Sequence, residues 1–138
     1  MARRTPLFPG AREVLEALYR RDDVVLGIAT GKSRRGVNHV LEMHGLERYF
    51  TTVQTADIHP SKPHPAMIEY AMLETGTRAV DTAMIGDTSY DMEMARAAGV
   101  SAIGVNWGYH APEVLRASGA ERVIESYSEL DAALKTLL

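Results

Sequence analysis

The sequence predicts an α/β fold, a Rossmann-like three-layer sandwich around a mostly parallel sheet. Three observations predict it. Short apolar runs alternate with helix-period segments along the whole chain, the pattern that βαβ units impose. The run 24–29 (VVLGIA) is apolar at nearly every position, as a strand buried on both faces is. Helical segments repeatedly run into a glycine, at Gly45, Gly76 and Gly99, the residue that takes a left-handed helix cap without steric cost.

Each element follows from local chemistry. Val14, Leu15 and Leu18 share one face of 11–21, giving an amphipathic helix that Asp22-Asp23 ends. The strand 24–29 follows. Ser33 then reads as the N-cap of a helix running to His44, because its hydroxyl can accept a free backbone N–H. Residues 51–55 (TTVQT) form a short strand, and 56–65 a polar loop punctuated by proline. A helix over 66–74, a strand over 82–85 and a helix over 89–98 come next, then the strand 101–105 and a Gly/Trp/Tyr loop over 106–110. Pro112 sits at the first turn of a helix to Ala117, where its missing N–H costs nothing. A strand over 122–125 and a C-terminal helix capped by Ser128 complete the chain.

The 138 residues (15.2 kDa) fit one domain spanning 1–138, with 1–9 leading into it. A chain of this length buries roughly 68% of its unfolded surface, enough for one core. No disulfide, thiolate metal site or cysteine nucleophile is possible with 0 Cys. A net charge of −3 offers no basic field for nucleic acid. No apolar run approaches the roughly 20 residues of a membrane span, and no apolar stretch follows the basic start Met1-Ala2-Arg3-Arg4, so the expected location is the cytoplasm. The five histidines lack metal-ligand spacing and read as loop or surface residues, while Met67, Met84, Met92 and Met94 read as core.

In parallel sheets, ligands sit beyond the carboxyl ends of the strands. That rule selects Thr30-Gly31, the loop around Lys62, Gly86-Asp87-Thr88 and Asn106-Trp107-Gly108. Asp87 leaves a strand tip and Asp91 follows one helical turn later, so the two carboxylates can offer oxygens to a hard cation such as Mg²⁺. The same residues also read as plain capping, with Asp87 and Ser89 at the helix start and Asp91 complementing its dipole. Thr30 and Gly31 ahead of a helix suit an anion, or form a simple strand–turn–helix link. Lys62, pinned by Pro63, can neutralise charge developing nearby. Walker and dinucleotide glycine fingerprints are absent.

The order Thr, Lys, Gly-Asp-x-x-x-Asp, each beside an expected strand, resembles the haloacid dehalogenase superfamily of hydrolases in its phosphoglycolate-phosphatase-like branch. Thr30 in IATGK is similar to that family's second motif, Lys62 in SKPHP to its third, and Asp87 with Asp91 in GDTSYDM to its fourth. Phe8-Pro9-Gly10 resembles the family's re-entry into the core after its helical cap, and residues 106–110 resemble the loop after the next strand. The resemblance implies a Mg²⁺-dependent phosphatase of a small phosphate monoester. It implies that Thr30 hydrogen-bonds the phosphoryl group with Gly31 and neighbouring amides, and that Lys62 neutralises nucleophile and phosphate. Asp87 and Asp91 would stand on the metal side, Asp91 orienting Lys62 or a metal-bound water.

The resemblance also implies a strand ending in D-x-D-x-[TV], whose first Asp is the nucleophile, and a cap. No two of Asp22, Asp23, Asp57, Asp81, Asp87, Asp91 and Asp131 form D-x-D. The expectation is therefore a core portion without first strand and cap, and that strand would lie between those ending at Thr30 and Asp87. Two unpaired edges would face each other there. Either they close up, another segment or chain fills the slot, or the chain belongs to a larger protein. A homodimer or strand exchange would answer the same problem. Two other readings compete: a non-catalytic binding module with a weak cation or anion site, and a phosphoacceptor receiver domain, whose residue order differs from this one.

Overall fold

A computed structural model describes residues 10–108 and 110–138; the resemblances drawn at Phe8-Pro9 and at Tyr109 lie outside them. Among the described residues six helices and five strands alternate: α1 (Ala11–Tyr19), β1 (Gly27–Thr30), α2 (Arg34–His44), β2 (Thr52–Thr55), α3 (Ala66–Thr75), β3 (Ala83–Gly86), α4 (Ser89–Ala98), β4 (Ser101–Val105), α5 (Pro112–Ala117), β5 (Arg122–Ile124) and α6 (Leu130–Leu137). Short 3₁₀ turns lie at Glu47–Tyr49, Ala79–Asp81 and Tyr127–Glu129.

All strand pairings among the described residues are parallel, as expected, but they form two sheets, β1-β2 and β3-β4-β5. Thus β1 and β3 do not close up on each other. Helices hold the two sheets together instead. On one side, Met67 and Ile68 of α3, Met92, Met94 and Ala95 of α4 and Leu115 of α5 form one cluster, which Ala29 of β1 and Met84 of β3 both join. On the other side, Leu18 of α1 and Leu130 and Ala133 of α6 pack on Ile103, Val105 and Ile124, with Ile85 beside them. Val37 and Leu41 of α2 cover Ile28 and Val53 there. Met84 and Ile85 point to opposite layers because side chains alternate across a strand, and this makes the molecule three layers deep. Met67, Met92, Met94, Ile103 and Leu115 are fully buried, each contributing about 1.5–3 kcal/mol of transfer free energy.

Several boundaries move for identifiable reasons. The strand expected over 24–29 occupies Gly27–Thr30, because its partner begins at Thr52 in register with Gly27 and Val24 and Val25 have no strand to pair with. Thr30 therefore ends the strand rather than following it, and Gly86 likewise closes β3. Helix α1 stops at Tyr19; beyond it Arg21 grips Asp23 through Nε at 3.1 Å and Nη2 at 3.0 Å. Ser128 does not cap the C-terminal helix: Ser126 and Glu129, which accepts the Ser126 N–H at 2.9 Å, close a capping box on the 3₁₀ turn Tyr127–Glu129 that leads into α6, and Glu129 itself precedes α6. Ser33 caps α2 as expected, accepting the Gly36 N–H at 3.1 Å.

Candidate functional site

The carboxyl ends of β1 and β3 meet the loop at Lys62 around a pocket of about 350 Å³, lined by Gly31, Ser61, Lys62, Asp87, Thr88, Tyr90 and Asp91. Four residues expected at a site from three distant stretches of sequence, Gly31, Lys62, Asp87 and Asp91, are thus brought together. Thr30 is adjacent but does not line the pocket. Its hydroxyl accepts the Lys32 N–H at 3.2 Å, which folds the turn that carries Gly31 to the rim.

The start of α4 organises the rest. The capping residue is Thr88, where Asp87 and Ser89 were the sequence candidates. Thr88 has the extended backbone (φ −125°, ψ 157°) that aims its side chain back at the helix. Its Oγ1 accepts the Asp91 N–H at 3.2 Å, while Asp91 Oδ2 accepts from the Thr88 N–H at 3.3 Å and the Thr88 hydroxyl at 2.9 Å. The second oxygen, Oδ1, accepts from the Lys62 ammonium. Asp91 is 4% exposed and Lys62 20% exposed, so this ion pair is shielded from water and stronger than a surface pair. With both oxygens of Asp91 engaged by protein donors, it fixes Lys62 at the pocket wall, whereas Asp87 stands on that wall between β3 and the cap.

Two glycines make room for these carboxylates. A Cβ on Gly86 would lie 2.4 Å from Asp91 Cβ, and one on Gly108 would lie 2.3 Å from Asp87 Cβ and 2.4 Å from its Oδ2. Both contacts are with the base of a short side chain, which cannot swing away. The G-D pairing in the sequence hinted at the first glycine; Gly108 was selected as part of the loop after β4, but its close approach to Asp87 is not legible there. His110, read from the sequence as a loop or surface residue, has a structural part here. It accepts the Ser89 N–H on Nδ1 at 2.9 Å, tethering the first turn of α4 to the same loop. Trp107 packs edge-on against Tyr127 at 4.8 Å within the α1–α6 layer, so it covers the end of the sheet. Burial pushes the Tyr127 phenol up, and the Asp87 charge adds to the rise.

The N-terminus of α2, the anion-suited feature read beside Thr30, already has an anion of its own. Asp57 accepts the Arg34 N–H on both oxygens at 3.2 Å and also accepts from the Thr55 hydroxyl. The Thr55 hydrogen bond, then the Arg34 N–H, hold its carboxyl below the usual carboxylate range. The Arg34 and Gly36 N–H groups at the start of α2 are thereby satisfied from within the chain. Among the described residues, no helix is long and apolar enough to cross a membrane.

Comparison with known proteins gives this geometry a family. The profile of the haloacid dehalogenase-like hydrolases matches residues 1–105. A probable phosphatase, IndB, of Dickeya dadantii is 42% identical over 134 residues, covering 96% of this chain and 57% of that protein. A phosphoglycolate phosphatase of Vibrio parahaemolyticus is 33% identical over 90% of this chain and 54% of its own length. Among solved structures, a HAD-superfamily hydrolase from Geobacter sulfurreducens superposes with a TM-score of 0.77 at 28% identity, over 91% of this chain and 59% of that one. The chain thus spans little more than half the length of the proteins it matches. With the parallel α/β architecture and the clustered strand-end residues, these matches establish that the chain belongs to the haloacid dehalogenase-like hydrolase family.

Proposed function

We propose that this chain is the core portion of a Mg²⁺-dependent phosphatase acting on a small phosphate monoester, similar to the phosphoglycolate phosphatases it matches. The observation that carries the reading is the convergence of Gly31, Lys62 and Asp87 on one pocket, with Lys62 locked by Asp91. Phosphoryl transfer is largely positioning plus neutralisation of charge. Gly31 lets a phosphate approach the backbone closely, and the Thr30 hydroxyl borders the same turn. Lys62 carries the positive charge, held in place by Asp91 rather than by the substrate.

The donors fit Mg²⁺ in kind. This ion takes one or two carboxylates and completes its shell with water and phosphate oxygens. Asp87 is the carboxylate that would hold it, and Asp91 would act through Lys62. In number the set is sparse, since no three His, Cys, Asp or Glu residues converge among the described residues. A bound Mg²⁺ would supply a Lewis acid for the phosphoryl oxygens. The nucleophile, by the family resemblance an Asp of a D-x-D strand, has no counterpart in this sequence and would come from outside it.

The test is hydrolysis of p-nitrophenyl phosphate by this chain and by a protein that carries it behind a D-x-D strand. The longer protein should turn over with Mg²⁺ and lose activity in EDTA and on Asp87→Asn. The 138-residue chain alone should stay at the level of its own Asp87→Asn variant. Turnover by the longer protein that ignores both EDTA and Asp87→Asn would sink the proposal, and no turnover by either form would favour a non-catalytic binding module.

A further inference from the structure

The pocket at the carboxyl ends of β1 and β3 has two kinds of wall. Gly31, Lys62, Asp87 and Asp91 present backbone and charged groups, which suit a phosphate and its cation. Tyr90 lines the same pocket and, among the described residues, is the only aromatic side chain to do so. We infer that Tyr90 is a specificity-determining residue: its ring is a platform for the part of the substrate beyond the phosphate, and it selects monoesters whose alcohol carries a flat, unsaturated ring. The inference rests on the phosphatase reading and deepens it.

Three observations single out this side chain. First, Tyr90, Glu93 and Ala97 fall on one exposed face of α4, at the spacing that puts residues above one another on a helix. Glu93 and Ala97 are ordinary for a solvated face, whereas Tyr90 leaves 53% of a large aromatic residue exposed where that face reaches the pocket. Second, the ring is braced. His110 stands edge-on to it, with ring centroids 6.1 Å apart and planes at 61°, and His110 is itself tied to α4 by accepting the Ser89 N–H at 2.9 Å. A ring already held in place gives up little freedom when a ligand settles on it. Third, Asp91, the next residue, has its two oxygens engaged by Thr88 and Lys62. What this stretch of wall presents to an alcohol group is therefore chiefly the tyrosine ring.

The pocket volume of about 350 Å³ is more than a bare phosphate fills and lies within the range of small-ligand sites, roughly 300–1,000 Å³. A monoester anchored by Lys62 and the Gly31 backbone would extend its alcohol portion along the remaining wall. An aromatic face attracts another flat ring by dispersion and by its quadrupole, beyond the gain from covering apolar area. A short hydroxylated alcohol gains none of this.

Equilibrium titration tests this on the 138-residue chain, which carries no D-x-D nucleophile to consume an ester. The probes are methyl, phenyl and cyclohexyl phosphate, each added with Mg²⁺ and followed by amide NMR shifts. Phenyl phosphate should bind about two- to tenfold more tightly than methyl phosphate, the strength of one aromatic contact. It should also bind more tightly than cyclohexyl phosphate, whose puckered ring cannot lie flat. Tyr90→Ala should bring the phenyl and methyl affinities together, and Tyr90→Phe should keep them apart. The position is exposed and alanine is the best helix former, so the fold should survive; should Tyr90→Ala misfold, the three esters on the parent chain and on Tyr90→Phe still decide. Methyl phosphate bound with no phenyl advantage, an equal advantage for cyclohexyl phosphate, an advantage that survives Tyr90→Ala, or one lost in Tyr90→Phe would each overturn the inference and leave the phosphatase reading standing. Failure of all three esters to bind would overturn that reading, and the inference with it.

Discussion

Strand β4 and the pair β1 and β3 are built from the same apolar vocabulary but live in different surroundings. Four of the five residues of β4 are buried, with Ile103 fully so, between β3 on one side and β5 on the other. Neither β1 nor β3 contains a single buried residue, although GIAT and AMIG are hardly more polar than SAIGV. Helices cover the faces of all three. What separates them is the lateral neighbour: a strand paired on both edges loses its water, and one facing a groove keeps it. A both-faces-apolar strand therefore specifies a demand for burial that its own residues cannot satisfy.

The largest expected effect is on the buried side of this contrast. Ile103→Ala should cost about 2–5 kcal/mol, the range for deleting a fully buried aliphatic group. Ile85→Ala, beside the groove, should cost only about 1 kcal/mol because part of that surface is already wet. Urea denaturation of both variants measures the difference. Equal losses would mean that in solution something covers β3 as well as β5 covers β4.

The helix caps sharpen the comparison at a smaller scale. Thr88 carries a reciprocal box that also orients Asp91 toward Lys62, so Thr88→Ala should cost about 1–2 kcal/mol. Ser33→Ala, in the β1-β2 half, should cost only about 0.5 kcal/mol, since Asp57 still accepts the Arg34 N–H. Thermal melts of the two variants would break the comparison if their order reversed.

The smallest effect concerns pH. The carboxyl of Asp57 is held below its usual range in the folded chain, so its contribution is present in full above about pH 4 and fades as the pH falls through the lowered native value. The stability gap between the parent chain and Asp57→Asn should accordingly narrow on acidification. A gap that widened toward acid would show the Thr55 and Arg34 contacts to be idle.

Much of this was readable in advance, and the failures share a cause. The caps at Ser33, Gly45, Gly76 and Gly99 are local chemistry, and so is the order of helices and strands. The methionines at 67, 92 and 94 went to the core as expected, where a flexible apolar side chain fills irregular space. The true starts of β1 and β3 were misjudged because a strand begins where its partner does. Thr52 and Gln54 read as ordinary strand residues, yet both are buried and meet at Glu74, with Gln54 Nε2 donating to Glu74 at 2.6 Å. That partner lies on α3, some 20 residues away, and no window along the chain reveals it.

By itself the sequence determined which segments are helices and strands, that the strands run parallel, and which strand ends carry Thr30, Lys62, Asp87 and Asp91. Periodicity, capping and connection length are properties of neighbours along the chain, so they are legible there. Only the tertiary structure decided that Gly108 and His110 support the same site, that Asp91 serves Lys62 and Thr88 together, and that the strands divide into a pair and a triplet flanking a groove. Those are contacts between distant segments, set by how the helical layers pack, and close approach in space leaves no mark on spacing in sequence.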